Sequence, residues 1–133
     1  MEVILLPHTT TSPAVNFNLE KNIFEISGCS RPEDVVDFYG GIVEWLADLK
    51  KLINEELITK TIENPMVFKL KFDYFNSSSA KFILDIVLLI NELFLNKLNV
   101  KIEWYYKEDD DDMLETGQEF IDIVNCPIDF IAI

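Results

Sequence analysis

The chain has 133 residues, which suits one domain and leaves little room for a second. Hydrophobic residues make up 49% of it, so a compact core can form without disulfides or metal, and a disordered chain is excluded. With 24 acidic against 11 basic residues the formal net charge is −13. That balance repels nucleic acid and anionic membranes, and it favours a basic protein partner.

One domain spanning residues 1–133 is expected, with residues 1–12 as a loose lead-in ending at Thr9-Thr10-Thr11-Ser12-Pro13. The start has no basic region of the kind that opens a signal peptide, and the longest apolar run, Phe82 to Leu95, is interrupted by Asp85, Asn91 and Glu92. A spanning helix needs ~20 apolar residues, so a cytoplasmic protein is expected. Cys29 and Cys126 stand in no metal-ligand spacing and read as free thiols, with a disulfide as the alternative.

Val15 to Asn18 and Ile23 to Ile26 alternate apolar and polar residues around Glu20-Lys21-Asn22, which predicts a hairpin closed by Gly28. Ser30-Arg31-Pro32-Glu33 reads as a helix start with Ser30 as cap. Val35, Phe38, Ile42, Trp45, Leu46, Leu49, Leu52 and Ile53 then recur at helical spacing. Gly40-Gly41 inside that helix each cost ~1 kcal/mol relative to alanine, which suggests a close approach or a kink. The helix is expected to fade between Glu55 and Thr61, before Asn64-Pro65.

Met66 to Phe75 predicts a strand with Phe68, Leu70, Phe72 and Tyr74 on its apolar face. A second helix follows from about Ala80 to Leu95, a strand from Leu98 to Tyr106, and a third helix from the Glu108–Asp112 run to about Val124. Cys126-Pro127 precedes a final strand, Ile128 to Ile133. The order β-β-α-β-α-β-α-β implies an α/β fold with a mixed sheet of about five strands and helices packed on it.

Catalytic chemistry finds no anchor. His8 is the single histidine and lies in the lead-in, and the four glycines form no phosphate loop. Asp109-Asp110-Asp111-Asp112 lacks the alternating ligands of a calcium loop, so no metal or cofactor is expected. A carboxylate-dependent hydrolase stays as the enzyme alternative; it would need a deep polar pocket and an acid of raised pKa.

The informative segment is Asn76-Ser77-Ser78-Ser79-Ala80-Lys81, where a strand runs into a helix through three hydroxyls. Asn76 or Ser77 can cap the helix, a contribution of ~1 kcal/mol. The sharper reading is phosphorylation, because free N–H groups at a helix mouth accommodate a phosphate of about −1.5 to −2 charges. On the same helix Leu84, Leu88 and Leu95 fall on a different side from Phe82, Ile83, Ile86, Leu89, Ile90 and Leu93. They are either part of a wide buried face or an apolar docking strip beside the serines. The acidic run Asp109 to Asp112 is either a solvated helix start or a surface for a basic partner. Trp45 and Trp104 read as core or edge aromatics, and Tyr105 and Tyr106 as pointing to opposite sheet faces.

Phe75-Asn76-Ser77-Ser78-Ser79 before a Leu/Ile-rich helix, Trp104 to Glu115 after it, and Ser30-Arg31-Pro32-Glu33 with Phe38-Tyr39 and Trp45-Leu46 resemble the SiaC family of regulatory phosphoproteins. The resemblance runs from about Pro13 onward. It implies a STAS-like fold, as in anti-sigma-factor antagonists, and a non-enzymatic partner-switching role. In such a cycle a protein kinase modifies a hydroxyl at the helix mouth, a PP2C-type phosphatase resets it, and the bare form binds a target such as a diguanylate cyclase. Carried onto this chain, the modified residue is Ser77, with Ser78 second and Asn76, Ser79 and Lys81 as the switch region. An anti-sigma-factor antagonist controlling transcription is the alternative of the same class. The sequence departs from the family in Ser77 standing where Thr is frequent, and in a longer connection between Lys50 and Pro65.

Overall fold

The computed structural model describes residues 1–55 and 64–133. Its elements are β1 (Ile4–Leu6), β2 (Ala14–Asn18), β3 (Ile23–Ser30), α1 (Val35–Asn54), β4 (Met66–Phe75), α2 (Ser77–Leu95), β5 (Val100–Tyr106), α3 (Asp111–Glu119), a single 3-10 turn (Phe120–Asp122) and β6 (Ile128–Ala132). Among the described residues the strands form one six-stranded sheet in sequence order. β1–β2 and β2–β3 pair antiparallel, and β3–β4, β4–β5 and β5–β6 pair parallel.

The mixed α/β architecture is therefore as expected, with one strand more than the sequence suggested. The extra strand, β1, lies inside the stretch read as a loose lead-in. It is three residues long, runs Ile-Leu-Leu without alternation and stops at Pro7, so it leaves no period-2 signal. The segment behind it is also tied down. Thr9 Oγ1 accepts from Ser12 N–H at 2.9 Å, and Arg31 N–H donates to Thr11 O at 2.7 Å.

The core lies between one face of the sheet and the helices. Val15, Phe17, Phe24, Ile26, Met66, Phe68, Leu70, Val100, Ile102 and Trp104 come from the strands, and Ile42, Leu46, Leu49, Ile83, Ile86 and Ile90 from α1 and α2. Trp45 and Trp104 are both buried. The other sheet face carries half-exposed charge: Lys71 pairs with Glu25 at 3.2 Å, and Lys101 with Asp129 at 3.1 Å. Tyr105 lies on that face and donates to Glu103, whereas Tyr106 packs toward the core. Burial, followed by the hydrogen bond and charge of Glu103, pushes the Tyr105 phenol up to about 12.

Two local expectations change around β3. Gly28 does not end the strand. It adopts φ +116° at a bulge, and pairing resumes through Cys29 and Ser30. The bulge shifts the register, so Gly28 faces Phe72 and Cys29 faces Tyr74; the burial alternation of β4 breaks there and Tyr74 is 53% exposed. Because β3 runs to Ser30, that residue is a strand end and not a cap. α1 begins four residues later than the sequence suggested, with Asp34 accepting from Asp37 N–H at 2.9 Å.

α1 passes through Gly40-Gly41 as one continuous helix, and a Cβ at either glycine would meet nothing within 4 Å. Among the described residues the expected close approach is absent there. α1 is described to Asn54; its expected fading toward Thr61, and most of the long connection, lie outside the described residues. α2 begins at Ser77, earlier than expected, because Asn76 supplies the cap. The third helix divides into α3 and the 3-10 turn. Both cysteines are free thiols, Cys29 half-buried and Cys126 buried.

The second half is tied together by two close contacts. Asn91 is buried on α2, and its Oδ1 accepts from Asn125 N–H at 2.8 Å and Cys126 N–H at 3.1 Å, fixing the approach to β6. Trp104 Nε1 donates to Met113 O at 2.9 Å, and Gly117 sits over the same indole. A Cβ on Gly117 would lie 2.5 Å from Trp104 Cδ1 and 2.8 Å from Phe130 Cε1, so α3 reaches this depth only as glycine. Gly117→Ala is expected to lower stability by about 1–3 kcal/mol in urea unfolding followed by tryptophan fluorescence, despite alanine's better helix propensity.

Candidate functional site

The mouth of α2 is built by the end of β4. Asn76, in extended backbone, is the cap: its Oδ1 accepts from Ser79 N–H at 2.9 Å and from the Ser78 hydroxyl at 3.2 Å. The first backbone N–H groups of the helix, those of Ser77 and Ser78, precede any carbonyl they could reach within it. The macrodipole gives this end a partial positive charge, and no acidic residue stands in the first turn.

The three serines have different surroundings. Ser79 is fully buried; its hydroxyl donates to Ser30 O at 3.1 Å and accepts from Ser30 Oγ at 2.9 Å. Ser78 is exposed, but its hydroxyl is engaged with Asn76. Ser77 is exposed, and its hydroxyl has no hydrogen-bond partner among the described residues. Of the three, Ser77 alone offers a solvent-facing hydroxyl free of competing bonds.

Behind the mouth lies a directed chain of hydroxyls. Tyr39 of α1 bonds Ser30 Oγ through its phenol, the Ser30 hydroxyl donates to Ser79 Oγ, and the Ser79 hydroxyl donates to the Ser30 carbonyl. That carbonyl also accepts Asn76 N–H at 3.0 Å, so one strand-end residue anchors both the cap and the third residue of α2. The Tyr39 ring stacks on Phe82 at 5.6 Å, joining α1 to α2. Burial raises the Tyr39 pKa, and the Ser30 and Ser79 bonds offset it only in part, so the phenol stays protonated as a donor. Ser30 and Tyr39 were not legible as site residues. A serine at a strand end reads as a helix cap, and a tyrosine on an apolar helical stripe reads as core.

At 100° per residue, Ser77, Lys81, Leu84, Leu88 and Leu95 share one side of α2. Lys81 is exposed. Leu84 is half-buried and packs against the core, while Leu88 and Leu95 are 38% and 54% exposed. The two readings of this stripe therefore divide: Leu84 belongs partly to the core, and Leu88 and Leu95 stand free of it.

The acidic run opens at the same end of the sheet, because β4 and β5 are parallel neighbours. Asp110 caps α3 by accepting Met113 N–H at 3.0 Å, while Asp109, Asp111 and Asp112 are exposed. Among the described residues no cluster of His, Cys, Asp and Glu is disposed to hold a metal, and no helix is long and apolar enough to cross a membrane.

Asn76 holds two groups with one oxygen, so Asn76→Ala is expected to cost about 0.5–2 kcal/mol in chemical denaturation. It should also speed amide exchange at Ser79.

The sequence pattern of the SiaC family regulatory phosphoproteins matches residues 6–133. An uncharacterised protein of Pseudomonas aeruginosa (strain UCBPP-PA14) is 24% identical over 127 residues, covering 96% of this chain and 94% of its own length. Apo-SiaC from Pseudomonas aeruginosa superposes with a TM-score of 0.80 at 23% identity, over 99% of this chain and 100% of that one. A chain from the crystal structure of the diguanylate cyclase SiaD in complex with its activator SiaC, from the same organism, gives 0.82 at 22% identity, over 98% and 99%. These structures share the fold, and the family pattern spans nearly the whole sequence: the chain belongs to the SiaC family of regulatory phosphoproteins.

Proposed function

We propose that this protein acts by reversible binding and not by catalysis, in the cytoplasm of a bacterium, with Ser77 as its switch. A protein kinase transfers a phosphoryl group from a nucleoside triphosphate to Ser77 Oγ, whose proton passes to the kinase. A PP2C-type phosphatase then hydrolyses the ester with water and restores the hydroxyl. The bare form binds and regulates a diguanylate cyclase. Support for that target comes from the family and from the relative whose structure was solved with the cyclase SiaD, which it activates.

The observation that carries the choice of residue is the free, exposed hydroxyl of Ser77 at the first position of α2, beside a Ser78 that is engaged and a Ser79 that is buried. Phosphate there meets unpaired N–H groups and the positive helix end, so the fold tolerates it. The surface in line with it, Lys81, Leu84, Leu88 and Leu95, then faces about two added negative charges. A target seated on that stripe meets repulsion over the first turn and Lys81, while the exposed leucines further along keep their apolar contact. The exposed acids Asp109, Asp111 and Asp112, with the cap Asp110, contribute a second contact region for a basic part of the partner.

Two measurements test this. Protein isolated from its host is expected to carry a single phosphate on Ser77, removed by a PP2C-type phosphatase and absent from Ser77→Ala. Phosphate only on Ser78, or on neither with kinase and phosphatase expressed, would refute the assignment. Leu88→Asp is expected to weaken cyclase binding at least tenfold, with native far-UV circular dichroism; unchanged affinity would remove α2's outer stripe from the interface.

A further inference from the structure

A groove on the far side of α1 has no part in the switch. Its volume is about 370 Å³, and it lies between the N-terminal segment with β1 and the outer side of α1. Ile4, Leu6, Phe38, Ile42 and Trp45 supply apolar walls, and Glu2, Glu44 and Asp48 stand at its rim. Trp45 Nε1 donates to Glu2 O at 2.8 Å, which holds the N-terminal wall against α1. Val3 and Leu6, both in its lining, stay exposed.

Gly41 also lines this groove and is exposed. Two adjacent glycines weaken a helix, yet among the described residues neither has a steric reason, because a Cβ on either would meet nothing within 4 Å. A bare helix surface of this kind lets another backbone come close. The lining contains three carboxylate side chains against one positive group, the Met1 amine, with no Lys or Arg, and the whole chain carries −13. A second copy would set like charges against each other, so the chemistry selects a cationic partner.

We infer that the groove between β1 and α1 is a docking site for an amphipathic helix of a partner protein. The partner's apolar side chains enter beside Gly41, and its Lys or Arg residues meet Glu44 and Asp48, which lie one helical turn apart on α1. The groove is independent of phosphorylation. No residue of α2 lines it, and β1 is three strand spacings, roughly 14 Å, from the β4 strand that leads into Ser77. A partner held here stays bound through the cycle and keeps a second protein at high local concentration near α2.

The test uses fluorescence anisotropy with a fluorescein-labelled leucine–lysine amphipathic helix, at physiological salt. Gly41→Leu is expected to weaken binding at least tenfold while its Tm holds or rises, since leucine is the better helix former. Glu44→Lys/Asp48→Lys should weaken it similarly, whereas the same charge change in Glu115→Lys/Glu119→Lys on α3, and Ser77→Asp, should leave it within about twofold of wild type, as distant charges are screened over ~8 Å. Undiminished binding by Gly41→Leu overturns the proposal. So does an equal loss in the α3 variant, which would reduce the attraction to net charge. An equal loss in Ser77→Asp would place the groove within the switch. Sedimentation showing a wild-type dimer that Gly41→Leu dissociates would assign the groove to a second copy and overturn the heterologous partner. Phosphate mapping at Ser77 is unaffected by any of these results, so the two readings stand or fall separately.

Discussion

Four strands that run parallel and follow one another across the sheet, β3 to β6, need three crossovers, and the general rule for such connections is a right-handed path. Since the strand order always advances in one direction, that handedness puts α1, α2 and α3 on a single face and leaves the other face open. It also starts every helix at the same end of the sheet. The caps Asp34, Asn76 and Asp110 therefore open side by side along the ends of β3, β4 and β5. Ser77, the acidic run and the hydroxyl chain are neighbours because of this topology, although they are far apart in sequence.

The hydroxyl chain makes the mouth of α2 a fixed platform. Burying Tyr39, Ser30 and Ser79 would be costly if any donor were left unpaired, and none is: among the described residues no buried side-chain polar atom lacks a partner. All bonds of the network lie behind the helix start. Ser77 takes no part in it, so an added phosphate breaks no bond on which the fold depends. Such a design suits a charge switch better than a conformational one, because the two states can share one backbone while differing in surface potential.

Legibility in the sequence followed the strength of local periodicity. The bounds of β4 were readable, since Phe68 to Asp73 alternate apolar and charged residues, and the body of α2 was readable because apolar residues recur from Phe82 to Leu95. β1 was not, being a three-residue edge whose existence depends on pairing with Ile4↔Phe17 to Leu6↔Val15. Ser30 carried a real capping signal that tertiary pairing overrode: parallel registry with Phe75 extends β3 past the bulge and moves the cap to Asp34. Tyr74 left the apolar face for the same reason. At the site, the Asn-Ser-Ser-Ser run announced a helix mouth. The distinction among its serines required three dimensions, because only the positions of Ser30 and Tyr39 decide which hydroxyl is consumed.

The charge of the chain bears on how such a switch can act. A phosphate changes a net charge of −13 by about two units, a small fraction of the total, so long-range steering of a partner hardly differs between the forms. The effect has to be local, within a screening length of ~8 Å at physiological salt. At ~1.5 Å per residue, Lys81 lies about 6 Å along α2 from Ser77 and Leu84 about 10 Å, while Leu88 and Leu95 lie about 16 and 27 Å away. On the proposed switch, the exposed leucines are beyond the reach of the phosphate and would serve both forms equally. Discrimination would then fall to whatever a partner places over the first turn and Lys81, and affinity to the apolar surface further down the helix.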